Sequence, residues 1–298
     1  MLQNSRDRVL LIERLDNQFT AAIRRLEAQF FEDVRRFYEN ELLNDGSIVV
    51  NSTDNLLRVN RINELALEFT NTQGPRIASQ VAQGFNRITT INEDFFNSQV
   101  NLSRAVRASV RAALFAQYGI ADTEDGLEIL GGGWLSNIAR FDDPFQRVQE
   151  IGIRAVSRGI PLETFRGEIR DAAFDTGARS IAHHFRTNAN DAYAQFDRNT
   201  QTTFANELGL ICFIYEGGLI DSSREFCEER NGQVFTIDEA DTWSALQWRG
   251  KNKSYDPLRD MGGHNCRHHP SYISDELAIT LRPELEQILP LIRQRLAA

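Results

Sequence analysis

Lysine is almost missing from this chain: Lys251 and Lys253 are the only two among 33 basic residues. Cysteine is scarce as well, with three in 298 residues, which excludes the dense disulfide framework of a small secreted scaffold. Free thiols or metal ligands are the expected states. No apolar run is long enough to span a bilayer. The opening residues, Met1-Leu2-Gln3-Asn4-Ser5-Arg6-Asp7-Arg8, lack the apolar core of a signal peptide. The expected address is therefore the cytoplasm, with no membrane partner. Positive charge is in deficit, at a formal net charge of -9, which argues against strong nucleic-acid binding because phosphate neutralisation needs a concentrated positive field. The preference for arginine has two readings. Arginine makes bidentate, partly desolvated ion pairs better than lysine does, which suits interfaces; a biased base composition of the genome gives the same pattern.

What is present is mostly helical periodicity. The chain is long enough for two domains or one large one, with the apolar and charged fractions of a soluble globular protein. From Arg6 to about Leu43, Ile12, Leu15, Phe19, Ile23, Leu26, Phe30, Val34 and Phe37 recur every three or four residues. A helix of that length spans about 50 Å. Asn44-Asp45-Gly46-Ser47 ends it. A second helix starts at Asp54 as N-cap and carries Leu57, Ile62, Leu65 and Phe69 on one face. Asn71 to Pro75 is expected to break it, with Pro75 opening a third helix that runs to Tyr118. In that third stripe Asn92 and Gln99 stand where the period calls for apolar residues. They either fix a register from inside the seam or sit exposed on a drifting stripe. Gly84 suggests a bend.

Asp122 to Asp143, with Gly131-Gly132-Gly133-Trp134, reads as a loop-rich connector; no Lys-Ser/Thr follows the glycines, so it is no phosphate loop. Pro144 and Pro161 stand near helix starts, and a long helix is expected from Thr176 to Leu208. His183 and His184 fall on it and receive no role. Leu210 to Tyr215 reads as a buried strand, Asp221 as the start of a helix, Gly232 to Thr236 as a short strand, Asp238 as a further helix start, Arg249 to Gly263 as a polar mobile loop, and Pro283 to Leu296 as a last amphipathic helix. The expected fold class is α+β, predominantly α, with long N-terminal helices ahead of a compact domain holding a small β-sheet. The expected division is 1–120 helical, 121–143 connector, 144–275 compact domain and 276–298 terminal helix.

Residues Tyr215 to His269 are the distinctive stretch, holding two of the three cysteines and three of the five histidines. On an extended segment His264, Cys266 and His268 would share one face, and Cys227 would complete a Cys2His2 set for structural zinc. The spacing matches no usual zinc signature. In a purely structural reading His264 and Asn265 bond loop backbone, Arg267 pairs with a carboxylate such as Asp221, and Cys227 and Cys266 pack side by side; a disulfide between them is a third option. A catalytic reading pairs either thiol with a histidine and gives Asp221 and Glu225 acid–base work.

Taken in order, Tyr215, Gly217, Asp221, Arg224, Cys227, then Gly232 and Phe235, then Gly263, His264, Cys266, Arg267 and His268 form a pattern that resembles the C-terminal domain of the phage Mu F-like minor head proteins, also called phage head morphogenesis proteins. The resemblance covers about 150 to 270. It implies a non-catalytic virion protein, made in the host cytoplasm and held inside the head near the portal, that acts in head assembly. Portal protein, major capsid or scaffold protein are the implied partners, and the N-terminal helices are candidates for that contact and for self-association. Relatives often carry Cys-Arg-Cys where this chain has Cys266-Arg267-His268, which keeps a possible metal ligand. Related domains occur fused to toxins, so the alternative is a zinc-dependent enzyme or toxin-like effector, a nuclease or an ADP-ribosyl transferase, delivered with the genome.

Overall fold

The computed structural model describes residues 2–38, 43–44, 47–48, 53–138, 142–174, 192–264 and 266–296. The expected long helix is described from Ala192 onward; its first half, with His183 and His184, lies outside the described residues, as do Asn265 and the side chains at Val34, Phe37 and Ile62. Helix dominates, with small antiparallel sheets beside it, so the chain is α+β and predominantly α. No described helix is long and apolar enough to cross a membrane.

Two long helices open the chain: α1 (Leu2–Tyr38) and α2 (Thr53–Asn97). Along α1, Ile12, Leu15, Phe19, Ile23 and Phe30 are buried, as their three- and four-residue spacing requires. Beyond α1, β1 (Leu43–Asn44) pairs antiparallel with β2 (Ser47–Ile48). The break expected at Pro75 is absent: α2 continues through it for 45 residues. A helical proline forfeits a backbone hydrogen bond and costs about 3 kcal/mol. The buried stripe Phe69, Ile77, Ala78, Val81 and Ala82 keeps its period across the proline, and burial of several such side chains outweighs that cost at about 1.5–3 kcal/mol for each large one. The helix stops instead at Asn97, and α3 (Arg104–Gln117) follows as a separate element.

The chain forms two compact units, each from separated segments, a partition different from the linear division expected above. One comprises 16–83 and 118–190. Phe30 and Phe69 meet edge to face in it. The stretch expected to be a plain connector holds the hairpin β3 (Ile120–Thr123) and β4 (Gly126–Ile129), then α4 (Trp134–Ile138). Helices α5 (Asp142–Arg158) and α6 (Leu162–Phe174) bury Val148, Ile151, Phe165 and Ile169.

The other unit comprises 1–15, 84–117 and 191–298. Its sheet has the order β6-β5-β7, with β5 (Cys212–Glu216) central, β6 (Val234–Thr236) and β7 (His269–Ile273). Helix α7 (Ala192–Leu208) packs on β7. Gly84 lies under the Tyr193 ring, where a side chain would collide. Helix α8 (Glu225–Arg230) begins four residues after Asp221, which sits in the preceding turn. Thr236 and Glu239 form a capping box at α9 (Ile237–Thr242). Helices α10 (Pro257–Asp260), α11 (Asp275–Leu281) and α12 (Leu285–Leu296) complete the unit. An apolar core of Ile211, Cys212, Ile214, Ile273, Leu285 and Leu289 lies between the sheet and α11–α12. Burial raises the Cys212 thiol to about 12, as a packing group and not a reactive one.

Asn92 is fully buried, so the drifting-stripe reading fails for it. Its Nδ2 donates to Asp197 Oδ1 at 2.9 Å, and Gln201 Nε2 donates to its Oδ1. Asp197 also faces Arg8 Nε at 3.8 Å and His269 Nδ1 at 2.8 Å. Arg8 and Asp197 are 0% exposed. Arg8 Nη2 donates to Ser271 Oγ at 2.6 Å. Gln99, half-buried, donates to the Tyr272 carbonyl at 3.0 Å. Burial alone would push the Asp197 carboxyl up; Arg8, His269 and Asn92 overcome it and bring the group down to about 2. Burial lowers His269 from its ordinary value, so at neutral pH Arg8 is the cation facing Asp197.

Asp197→Asn leaves Arg8 buried without its counter-ion, and urea unfolding is expected to show a loss of about 3–5 kcal/mol. In the native chain both depressed groups make the unfolded state bind protons first. Stability should fall from about pH 6.5 downward as His269 contributes, and again from about pH 4 toward 2 as Asp197 does. The lower limb should be missing in Asp197→Asn; an unchanged acid profile refutes the role given to Asp197.

Candidate functional site

The site is built where β5 ends, α8 begins and the segment before β7 turns. Tyr215 is the fourth residue of β5 and is fully buried. Cys227 lies in the first turn of α8. Cys266 and His268 lie between α10 and β7. The two Sγ atoms are 3.9 Å apart, and Cys266 Sγ is 3.7 Å from His268 Nδ1. Tyr215 Oη donates to Cys227 Sγ at 3.3 Å and lies 3.9 Å from Cys266 Sγ. The Tyr215 and His268 rings are 4.9 Å apart. Cys227, Cys266 and His268 offer donor atoms all within 4.8 Å of one another. The cysteines are free, not bridged.

His264 is not part of this group. The extended segment expected to align it with Cys266 and His268 is a tight turn, in which Cys266 N donates to Gly263 O at 3.0 Å. The turn ends the alternation, and His264 is exposed. Its backbone is held instead: its N–H donates to Gly250 O at 2.9 Å, and its carbonyl accepts from Arg224 Nη2 at 2.5 Å. Arg224 therefore serves as a loop clamp, with Nε on the Arg249 carbonyl at 2.9 Å. Asp221, Glu225 and Arg267 are exposed. Among the described residues no ion pair joins Arg267 to Asp221, and the acid–base pair Asp221 and Glu225 lies outside the buried cluster.

Arg198 was not signalled by the distinctive stretch, yet it holds the site together. It is 2% exposed. Its Nε donates to the His268 carbonyl at 2.9 Å, its Nη1 to the Arg259 carbonyl at 3.0 Å, and its Nη2 to the Cys266 carbonyl. One planar guanidinium thus fixes three points of the loop, a geometry lysine lacks. A charged Asp197-Arg198 pair among Tyr193, Phe196, Thr200 and Phe204 was the available cue, because charge at buried helix phases needs partners.

The supposedly mobile loop is pinned on its other side. Trp248 Nε1 donates to Gly262 O at 2.9 Å, and Tyr255 Oη to Met261 O at 2.6 Å. Lys251 Nζ donates to Ser244 O and Leu246 O at 2.6 and 2.7 Å. Trp248 stacks on Phe226, with centroids 4.0 Å apart. Met261, fully buried, is forced to a φ of 51°, costly for a side chain of its size. That turn aims Gly262 N at Cys266 Sγ, at 3.2 Å; His268 N follows at 3.4 Å. Two motif glycines are explained by contact. A Cβ at Gly262 would collide with Cys227 Sγ, and one at Gly217 would stand 2.7 Å from His268 Cα.

Electrostatically the two thiols diverge. The hydrogen bond from Cys227 holds Cys266 well below the ordinary thiol range against burial, helped by His268 and Arg198. The same bond, with burial, raises Cys227. Burial and the adjacent sulfurs push the Tyr215 phenol up. Of the two thiols, Cys266 is therefore the one whose surroundings favour ionisation. Cys227 and Cys266 are 3% and 4% exposed, whereas reactive cysteines sit in partly exposed surroundings. What the arrangement does chemically is gather two sulfurs and an imidazole inside a loop held by side-chain bonds to its backbone.

Arg198→Lys keeps the charge but cannot reach three carbonyls. Hydrogen exchange at the amides of Gly262, Cys266 and His268 should accelerate by about tenfold or more, with amides in α12 unchanged, because each charge-assisted bond contributes about 1.5–3 kcal/mol. Equal protection in the variant rejects the clamp. Compared with known proteins, the chain matches no family model, no curated protein and no solved structure.

Proposed function

We propose that the chain is a minor head protein of the phage Mu F-like kind, acting by attachment and without catalysis. The observation that carries this reading is the ordered pattern from Tyr215 to His268. Within it Tyr215, Cys227, Cys266 and His268 converge, Arg224 clamps the loop, and Gly217 is held to glycine by His268. These motif residues thus have a common task, bracing a module. The sealed thiols favour bracing over turnover. The address that follows is the interior of the head beside the portal, after synthesis in the host cytoplasm.

The helices supply candidate attachment faces. Leu57 and Leu67 on α2 are 61% and 62% exposed, ten residues apart and therefore about 80° apart around the helix at 100° per residue. Exposed leucines within a quarter turn of one another offer apolar surface for a helix-in-groove contact with portal, capsid or scaffold protein, or with another copy.

Co-expressed with the portal protein of the same phage, the chain should co-purify with it, and mass spectrometry should find it in purified particles. Leu57→Asp with Leu67→Asp should weaken portal binding by about tenfold or more, because burial of each leucine contributes about 1.5–3 kcal/mol, while the far-ultraviolet circular dichroism stays unchanged. Absence from particles refutes the assignment. A nuclease or ADP-ribosyl transfer activity lost on Cys266→Ala replaces it with an effector.

A further inference from the structure

We propose that Cys227 Sγ, Cys266 Sγ and a ring nitrogen of His268 form a binding site for a thiophilic divalent cation, zinc foremost, with Tyr215 Oη at the remaining corner. The inference is independent of what the module attaches to.

The argument starts from spacing. With Zn–S near 2.3 Å and Zn–N near 2.0–2.1 Å, a tetrahedral ion sets two sulfurs about 3.8 Å apart and a sulfur and a nitrogen about 3.6 Å apart. The corresponding distances in this protein are 3.9 and 3.7 Å. A disulfide requires sulfurs at about 2.05 Å, far inside that separation. Tyr215 Oη, at 3.3 and 3.9 Å from the two sulfurs, brackets the spacing of about 3.5 Å expected for an oxygen on the same ion.

Three further observations point to a ligand. His268 is 3% exposed, and its Nε2 has no hydrogen-bond partner. A buried imidazole with one nitrogen against sulfur and the other unengaged is a ring free to coordinate. Cys266 Sγ accepts backbone N–H groups from Gly262 and His268, which orient and stabilise a ligating thiolate from the outer shell. Arg198 fixes the carbonyls of Cys266 and His268, so both donors are positioned before an ion arrives. Two thiolates and an imidazole select zinc over magnesium or calcium, which prefer oxygen. The Cys2His2 set that includes His264 is replaced by this smaller one, because His264 is exposed on the far side of the turn.

The test uses the full chain, purified reduced and stripped of metal, titrated with cobalt(II). The expected result is one equivalent bound, with a near-ultraviolet thiolate-to-cobalt charge-transfer band and the intense visible bands of tetrahedral cobalt, both erased by one equivalent of zinc. Cys227→Ser and Cys266→Ser should each weaken the charge-transfer band, and Tyr215→Phe should shift the visible bands while leaving the stoichiometry. His264→Ala should leave both unchanged. The wild-type titration decides the matter even if a cysteine variant fails to fold. The weak spectrum of six-coordinate cobalt, or no binding, overturns the site. A His264→Ala chain that loses the band restores the four-ligand set against this one. Presence in or absence from viral particles does not enter the readout, so the metal site and the head-protein reading stand or fall separately.

Discussion

The buried carboxylate of Asp197 is the constraint on which its unit depends. A carboxylate removed from water must be matched by donors in place, or the chain does not close around it. The partners come from four places: the charge of Arg8 in α1, the amide of Asn92 in α2, the imidazole of His269 in β7, and Gln201 of α7 through Asn92. Apolar packing alone would let these elements slide past one another by a turn at modest cost. A fixed set of charge and hydrogen-bond partners admits one register, as a polar residue does in a coiled-coil seam. The adjacent Arg198 passes that register to the loop before β7. The thiols and imidazole of the site therefore inherit their places from a helix that contributes no donor atom to them.

This division of labour orders the site's parts. Arg198 and Arg224 grip backbone carbonyls on either side of the Cys266 turn, and Trp248 and Tyr255 grip the stretch ahead of it. The strained Met261 is tolerated because those contacts over-determine its conformation. Side chains bonded to main chain, and not to each other, make the loop's shape insensitive to exposed neighbours such as Arg267. The sealed sulfur pair is then a consequence of backbone geometry.

The unbroken apolar run Leu210 to Tyr215 is enough for the strand at Cys212, which is buried almost throughout. Periodicity in the sequence is enough for the fold class and for α1, whose buried face repeats every three or four residues. It misled at Pro75, where local chemistry announces a stop and a buried stripe on both sides overrides it. It was silent on β7, whose His-Pro-Ser-Tyr-Ile has no alternation because both faces are covered. In the site, Tyr215, Cys227, Cys266 and His268 were legible from residue type and clustering. His264 was over-read, since spacing of two implies one face only while the chain stays extended. Arg198 was invisible to motif reading because its role is defined by carbonyls far along the chain, which carry no sequence signature.

The contact between Arg8 and Ser271 joins residues 263 positions apart. On a ribosome adding roughly 5–20 residues per second, the first helix emerges on the order of tens of seconds before the strand that carries Ser271, and earlier also than the Asp197 counter-ion. Until those partners arrive, an arginine destined for a dry interior stays a hydrated charge. The order of synthesis therefore sets the earliest moment at which this register can close.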